Sequence, residues 1–162
     1  EFVNRNGEFT VNIALIEHGE PVLGVVYVPV TGRMFAGARG LGAFEVDAAG
    51  RRRSIACRSV PAAGMTVLAS RSHGDSDALN RWLATQRVAQ LSTAGSSLKL
   101  CLLAAGEADA YPRFGRTMEW DIAAGHAVLA AAGGSVHTMD AQPMCYSKPG
   151  FENPDFVARG LG

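Results

Sequence analysis

The chain reads as an α/β protein in which an antiparallel sheet is followed by an α/β/α half. Two observations lead there. The first third strings apolar, β-forming runs between glycine-bearing turns. From Met65 onward, short apolar runs alternate with stretches of helical periodicity. A third observation sets the scale: 162 residues, 48% hydrophobic and 19% charged, suffice for a globular unit with a sizeable core.

Residues 9–17 and 21–28 form the first pair of runs, with His18, Gly19 and Glu20 as turn material, and predict a hairpin. A second pair, 33–38 and 42–46, is joined through Arg39 and Gly40, and glycines at 37, 40 and 42 suggest tight turns or close backbone approach. Residues 47–63 carry Gly50, the run Arg51, Arg52, Arg53 and Pro61, and are expected to connect the two halves, with the arginines as a solvated basic turn. Residues 1–60 are thus assigned to the sheet half and 61–162 to the α/β half. Beyond Met65, strands are expected at 66–69, 88–91, 108–111 and 135–137. Helices are expected at 75–86, 96–105 and 121–132, with Gly106 and the pair Gly133, Gly134 at C-caps.

Lysine plus arginine and aspartate plus glutamate each number 15, so the formal net charge is zero and no long-range field draws the chain to nucleic acid or an anionic membrane. An anionic ligand must be held by local residues. Cys57, Cys101 and Cys145 are odd in number and widely spaced, which argues against a disulfide framework and a structural zinc site and fits a reducing cytoplasm. The longest apolar stretch, 98–105, is broken by Lys99 and far shorter than the roughly 20 residues of a transmembrane helix.

The most informative stretch is Trp120, Asp121, Ile122, Ala123, Ala124, Gly125, followed by a small-residue helix and Gly133, Gly134. Asp121 opens that helix in this reading and is either an N-cap or a metal ligand. The pattern Trp-Asp-x-Ala-Ala-Gly with its Gly-Gly end resembles the C-terminal signature of the inositol monophosphatase superfamily. That resemblance implies a layered α+β, sugar-phosphatase-like fold and makes Asp121 a catalytic residue that ligates magnesium. Glu1 to Ala14 resembles the segment following the family's Asp-Pro-x-Asp-Gly-Thr motif, and the chain opens without an initiator methionine. It is therefore expected to be a C-terminal piece lacking the residues that hold most of the two or three Mg2+ ions. Magnesium usually wants more than one carboxylate, so such a piece should bind it poorly.

Three features resemble the bacterial 3′(2′),5′-bisphosphate nucleotidase branch. Ser70, Arg71, Ser72 and His73 follow a predicted strand and precede a helix, and the family's substrate loop implies substrate-binding roles for Ser70 and His73. Gly95, Ser96, Ser97, Leu98 and Lys99 open a helix; alone this is a weak anion signal, but the resemblance carries substrate contacts onto Gly95, Ser96 and Lys99. Arg113, within Tyr111, Pro112, Arg113 and Phe114, could grip a phosphate bidentately or form an ion pair with Asp109 or Glu119. Tyr111 and Phe114 read better as core than as adenine platforms, and His126 and His137 as structural or surface positions. Whether Glu119 faces the metal site is left open.

The implied activity is magnesium-dependent removal of the 3′-phosphate of 3′-phosphoadenosine 5′-phosphate, giving AMP and phosphate, in sulfate assimilation. The isolated piece is expected to be inactive. The rivals are an inositol or other sugar phosphatase of the same superfamily and a non-enzymatic nucleotide-binding module. The implied partner is a small nucleotide bisphosphate, not nucleic acid; a homodimer and a cytoplasmic location, with peripheral inner-membrane association, fall within the same expectation. If two covering helices lie upstream as in that family, one apolar face of residues 9–28 is exposed in this chain, which should make it prone to aggregate.

Overall fold

The structure, a computed structural model, describes residues 9–70 and 76–161. Five strands, β1 (Val11–Glu17), β2 (Glu20–Val28), β3 (Arg33–Ala38), β4 (Gly42–Val46) and β5 (Arg52–Ile55), form an antiparallel meander in sequence order. The turn between β1 and β2 needs two consecutive residues at positive φ, and His18 at 52° and Gly19 at 78° provide them. One expectation is corrected here. The segment 47–63 is not only a connector, because Arg52–Ile55 pairs with β4 as a fifth strand. Its arginines are partnered along the sheet: Arg51 Nε reaches Asp47 at 2.7 Å, Arg53 reaches Glu45 at 2.6 Å, and the Arg52 guanidinium lies 3.7 Å from the Phe44 ring centroid. A β-strand was missed there because the basic run hides an alternation that only Ile55 anchors in the core.

The second sheet runs β10 (Ser135–Thr138), β12 (Phe156–Arg159), β8 (Ala110–Arg113), β6 (Met65–Ala69), β7 (Val88–Thr93). It is mixed, with β6 parallel to both β7 and β8 and the β12 side antiparallel. Strand β12, four residues between Asn153-Pro154-Asp155 and Gly160, was not anticipated, although it is as long and as well punctuated as β8 and β10. The two-residue strands β9 (Thr117–Met118) and β11 (Glu152–Asn153), which pair with each other, are too short to show in the sequence.

Helices α2 (Leu98–Ala104) and α3 (Glu119–Ala131) lie between the two sheets, and α1 (Ser76–Ala84) covers the far face of the second sheet. Strand alternation divides the side chains accordingly. Leu68, Tyr111 and Phe156 face the helices, where they join Val26, Phe35, Leu100, Leu103 and Val128 in one core shared by both halves. Val67 and Ala110 face Trp82 and Leu83 of α1.

Helix α3 sits against the first sheet at backbone distance, which explains why its sequence is built from alanine and glycine. A Cβ on Gly24 of β2 would lie 2.2 Å from the Ala124 carbonyl oxygen, and one on Gly37 of β3 would lie 2.9 Å from Val128 Cα. On its other side, Gly125 admits the Leu100 side chain of α2, which a Cβ would meet at 2.7 Å. The face of the first sheet turned away from α3 is different. Val11, Ile13, Leu15, Leu23 and Tyr27 are exposed there, Ile13 at 62%.

Candidate active site

Helix α3 begins two residues earlier than its sequence suggests. Pairing of β9 with β11, and a bond from the Glu119 N–H to Phe151 O at 2.9 Å, bring Met118 to the N-cap position. Asp121 is therefore the third helical residue and not its opening residue. Its Oδ2 accepts the Met118 N–H at 2.8 Å, so one carboxylate oxygen stabilises the helix start while the residue borders a cleft. The N-cap reading is thus corrected, since Met118 holds that position and Asp121 braces it from the third helical residue.

Glu119, two residues away, is committed elsewhere. It is only 7% exposed, and its carboxylate accepts the N–H groups of Ser147 at 2.8 Å and Lys148 at 2.9 Å and pairs with Lys148 Nζ at 2.8 Å. Burial alone would raise its pKa, but these bonds outweigh it and hold the carboxyl below the ordinary range. Glu119 thus ties the 147–148 loop to the helix and does not line the cleft beside Asp121.

That cleft has a volume of about 290 Å³, and Ser70, Ser96, Lys99, Arg113 and Asp121, from four separate stretches of chain, all border it. Gly95 is buried next in sequence but is not part of the wall, and His73 lies outside the described residues. Lys99 is not the open point charge its position suggests. It is 3% exposed, and its Nζ donates to Ala94 O at 2.9 Å and Ser96 O at 3.0 Å while lying 4.9 Å from the Tyr111 ring centroid. The cation both supports the 94–97 turn and adds positive potential behind it.

Arg113 is also buried, at 7% exposure, and its Nη2 donates to Arg116 O at 3.2 Å. Neither carboxylate considered as its ion-pair partner takes that role, because Asp109 is gripped by Arg58 through two bonds of 2.8 Å and Glu119 by Lys148. Tyr111 and Phe114 are buried, and burial pushes the Tyr111 hydroxyl up to about 12. Ser96 adopts φ 54°, so it is not the regular helix start expected from its sequence; Ser97 precedes α2, and its hydroxyl bonds to Asn12 instead of capping the helix.

Sequence reasoning missed Asn12, Arg116 and Thr117, which also border the cleft. Asn12 did carry a signal: it is polar at the same parity as Ala14 and Ile16, the residues of β1 that pack toward the core. Arg116 and Thr117 carried none. Among the described residues, Lys99, Arg113 and Arg116 stand against the single carboxylate of Asp121, and with the hydroxyls of the wall they make a composition suited to a phosphate ester. A larger cavity of about 390 Å³ lies near the C-terminal end of α3 between Arg39, His126 and His137, but none of the candidate residues reaches it. Among the described residues no group of three or more His, Cys, Asp or Glu side chains is placed to hold a metal ion. Asp121 is the one described carboxylate at the cleft, so the described residues alone do not make a complete magnesium site.

Two sheets with a small-residue helix between them, and an aspartate on that helix's first turn at a cleft bearing Lys99, Arg113 and Arg116, define the layered fold class to which the chain belongs. The chain belongs to the inositol monophosphatase family, whose model matches residues 1–157. It is 50% identical over 157 residues to the 3′(2′),5′-bisphosphate nucleotidase CysQ of Escherichia coli K12, covering 96% of this chain and 62% of that one. The Buchnera aphidicola protein of the same name is 40% identical, over 99% of this chain and 60% of its own. Among solved structures, CysQ from Bacteroides thetaiotaomicron superposes with a TM-score of 0.89 at 35% identity, over 99% of this chain and 66% of that one. SuhB of Mycobacterium tuberculosis superposes with a TM-score of 0.77 at 27% identity, over 98% of this chain and 61% of that one. The chain thus spans less than two thirds of the length of these two curated relatives. No helix among the described residues is long and apolar enough to cross a membrane.

Proposed function

We propose that the protein is a magnesium-dependent phosphomonoesterase that removes the 3′-phosphate of 3′-phosphoadenosine 5′-phosphate, leaving AMP. The observation that carries this reading is the convergence of Ser70, Ser96, Lys99, Arg113 and Asp121 on one cleft, joined to the 50% identity with a bisphosphate nucleotidase. Asp121 is assigned as one metal ligand, the others lying outside the described residues. When bound, the divalent ion supplies positive charge to the ester phosphate and its leaving oxygen.

The chain's own residues would bind and orient. Lys99 and Arg113 place fixed positive charge behind the phosphates, and because both are largely buried their potential is little screened by solvent. Ser70 and Ser96 offer hydroxyls at the wall. Asp121, with Oδ2 anchored to the Met118 N–H, has its second oxygen available for a ligand at a fixed orientation. Three free cysteines fit the cytoplasmic location we assign. Residues 1–60 and 61–162 are retained as the two halves of the enzyme, with substrate and metal groups on the second.

The test is phosphate release by the full-length protein with magnesium, comparing 3′-phosphoadenosine 5′-phosphate with inositol 1-phosphate at equal concentration. Strong preference for the nucleotide is expected. Preference for inositol phosphate would retain Asp121 and overturn the nucleotide assignment.

A further inference from the structure

Thr10 and Asn12, at the edge of the first sheet, are bonded to the Ser96–Ser97 turn, which lies more than 80 positions further along the chain. Ser97 Oγ donates to Asn12 Oδ1 at 2.6 Å, and Asn12 Nδ2 donates to Thr10 Oγ1 at 3.2 Å. Thr10 Oγ1 lies 2.6 Å from Ser96 Oγ and 2.9 Å from Ser97 Oγ. These bonds bridge the two halves beside the Lys99 anchor on Ser96 O, and they hold Ser96 in a left-handed conformation that a residue with a Cβ rarely adopts.

Counting protons gives the network a direction. A hydroxyl has one proton to donate, and that of Ser97 goes to Asn12. The Thr10 proton then has two destinations. Directed to Ser97, it closes a ring of three, Ser96 must donate to Thr10, and only lone pairs face the cleft. Directed to Ser96, it completes a one-way chain from Ser97 through Asn12 and Thr10 to Ser96, the Ser96 proton is released toward the cleft, and the 2.9 Å Thr10–Ser97 contact is left without a proton. An anion favours the second arrangement, because it accepts and cannot donate.

We propose that Thr10 and Asn12 are positioning residues for the anionic substrate: they hold the Ser96 turn across the two halves and orient its hydroxyl to donate to a phosphate oxygen. This rests on the phosphatase reading above. The ligand class is a phosphate ester, and Ser96 is the group that touches it.

The experiment is steady-state hydrolysis of 3′-phosphoadenosine 5′-phosphate by the full-length protein and its Thr10→Val, Thr10→Ser, Ser96→Ala and Thr10→Val/Ser96→Ala variants. Thr10→Val should raise KM about tenfold with kcat within about twofold, the scale of one charge-assisted hydrogen bond. Thr10→Ser should restore the wild-type KM, and the double variant should be no worse than Ser96→Ala, because Thr10 acts through Ser96. An unchanged KM in Thr10→Val, additive losses in the double variant, or a kcat loss that Thr10→Ser fails to restore would overturn the proposal. Should Thr10→Val not fold, Asn12→Asp substitutes for it: a carboxylate takes the Thr10 proton, reverses the chain and raises KM similarly, and an unchanged KM counts against the idea. A wild-type protein inactive on the nucleotide sinks the proposed function instead; the same variants are then titrated with inorganic phosphate, where about tenfold weaker binding by Thr10→Val supports the positioning role and equal binding overturns it.

Discussion

The first turn of α3 and the body of the same helix are governed by opposite rules. Along the body, from Ala123 to Ala131, small side chains let the backbone touch β2, β3 and α2, and no space remains for a methyl group at Gly24 or Gly37. At the first turn the backbone is less confined, and polar groups decide what each residue does. Even there the two carboxylates differ: Glu119 is saturated by Ser147 and Lys148, whereas Asp121 uses one oxygen on Met118 and borders the cleft bearing Lys99, Arg113 and Arg116. Saturated groups hold structure together, and a carboxylate with a remaining oxygen at a cleft is available for chemistry.

The largest effect expected from this contrast is at Asp121. Asp121→Asn keeps an oxygen that can accept the Met118 N–H and removes the charge, so thermal stability should change little while turnover of the full-length protein falls by about 10²–10³-fold. Near-normal turnover would remove Asp121 from the reaction. A large loss of stability would show that its charge chiefly serves the helix start.

The body of the helix should respond in stability instead. Gly24→Ala forces a methyl group against the Ala124 carbonyl, which is backbone and cannot step aside, and should cost about 3 kcal/mol in urea unfolding. Gly125→Ala meets Leu100 at Cδ1, which a rotamer change can move, and at Cβ, which only a shift of α2 can, while it gains helix propensity, so its cost should be about 2 kcal/mol. Equal costs at the two positions would mean that the sheet yields as easily as the packing of α2 on α3, and would weaken the claim that α3 is locked against the sheet.

How much of this was legible follows the same division. The hairpins of the first sheet, the three helices and four of the second sheet's five strands announce themselves, because period-2 and helical patterns are set by burial on one face. Residues that border the cleft were found where resemblance supplied the role, as at Asp121, Lys99 and Arg113. What could not be read was the state of each side chain. Nothing in the sequence says that Lys99 is sequestered by two carbonyls, that Arg58 and not Arg113 takes Asp109, or that Lys148 takes Glu119, since these partners come together only through tertiary packing. Asn12 was visible in principle as a polar residue at a core-facing parity, yet its partners, Thr10 and Ser97, are joined to it by the fold.

An effect confined to acid pH concerns His126, on the body of α3, where packing has enclosed a titratable group. It is 8% exposed, its Nδ1 lies 2.8 Å from the Tyr146 hydroxyl, and burial, with His137 nearby, pushes its pKa from 6.5 down to about 4. Above pH 6.5 the imidazole is neutral in both folded and unfolded chains and adds no pH dependence. Between pH 6.5 and about 4 the unfolded chain takes up a proton that the folded one refuses, so stability should decline toward acid, by up to roughly 1.4 kcal/mol per pH unit. Urea unfolding at pH 7.5, 6 and 5 reads this directly. His126→Gln, which keeps a polar partner for Tyr146 and cannot titrate, should flatten the decline over that window while turnover of the full-length protein at pH 7.5 stays unchanged. An identical decline in the variant would assign the acid sensitivity to other groups, and a loss of turnover at pH 7.5 would mean that the body of α3 reaches the chemistry after all.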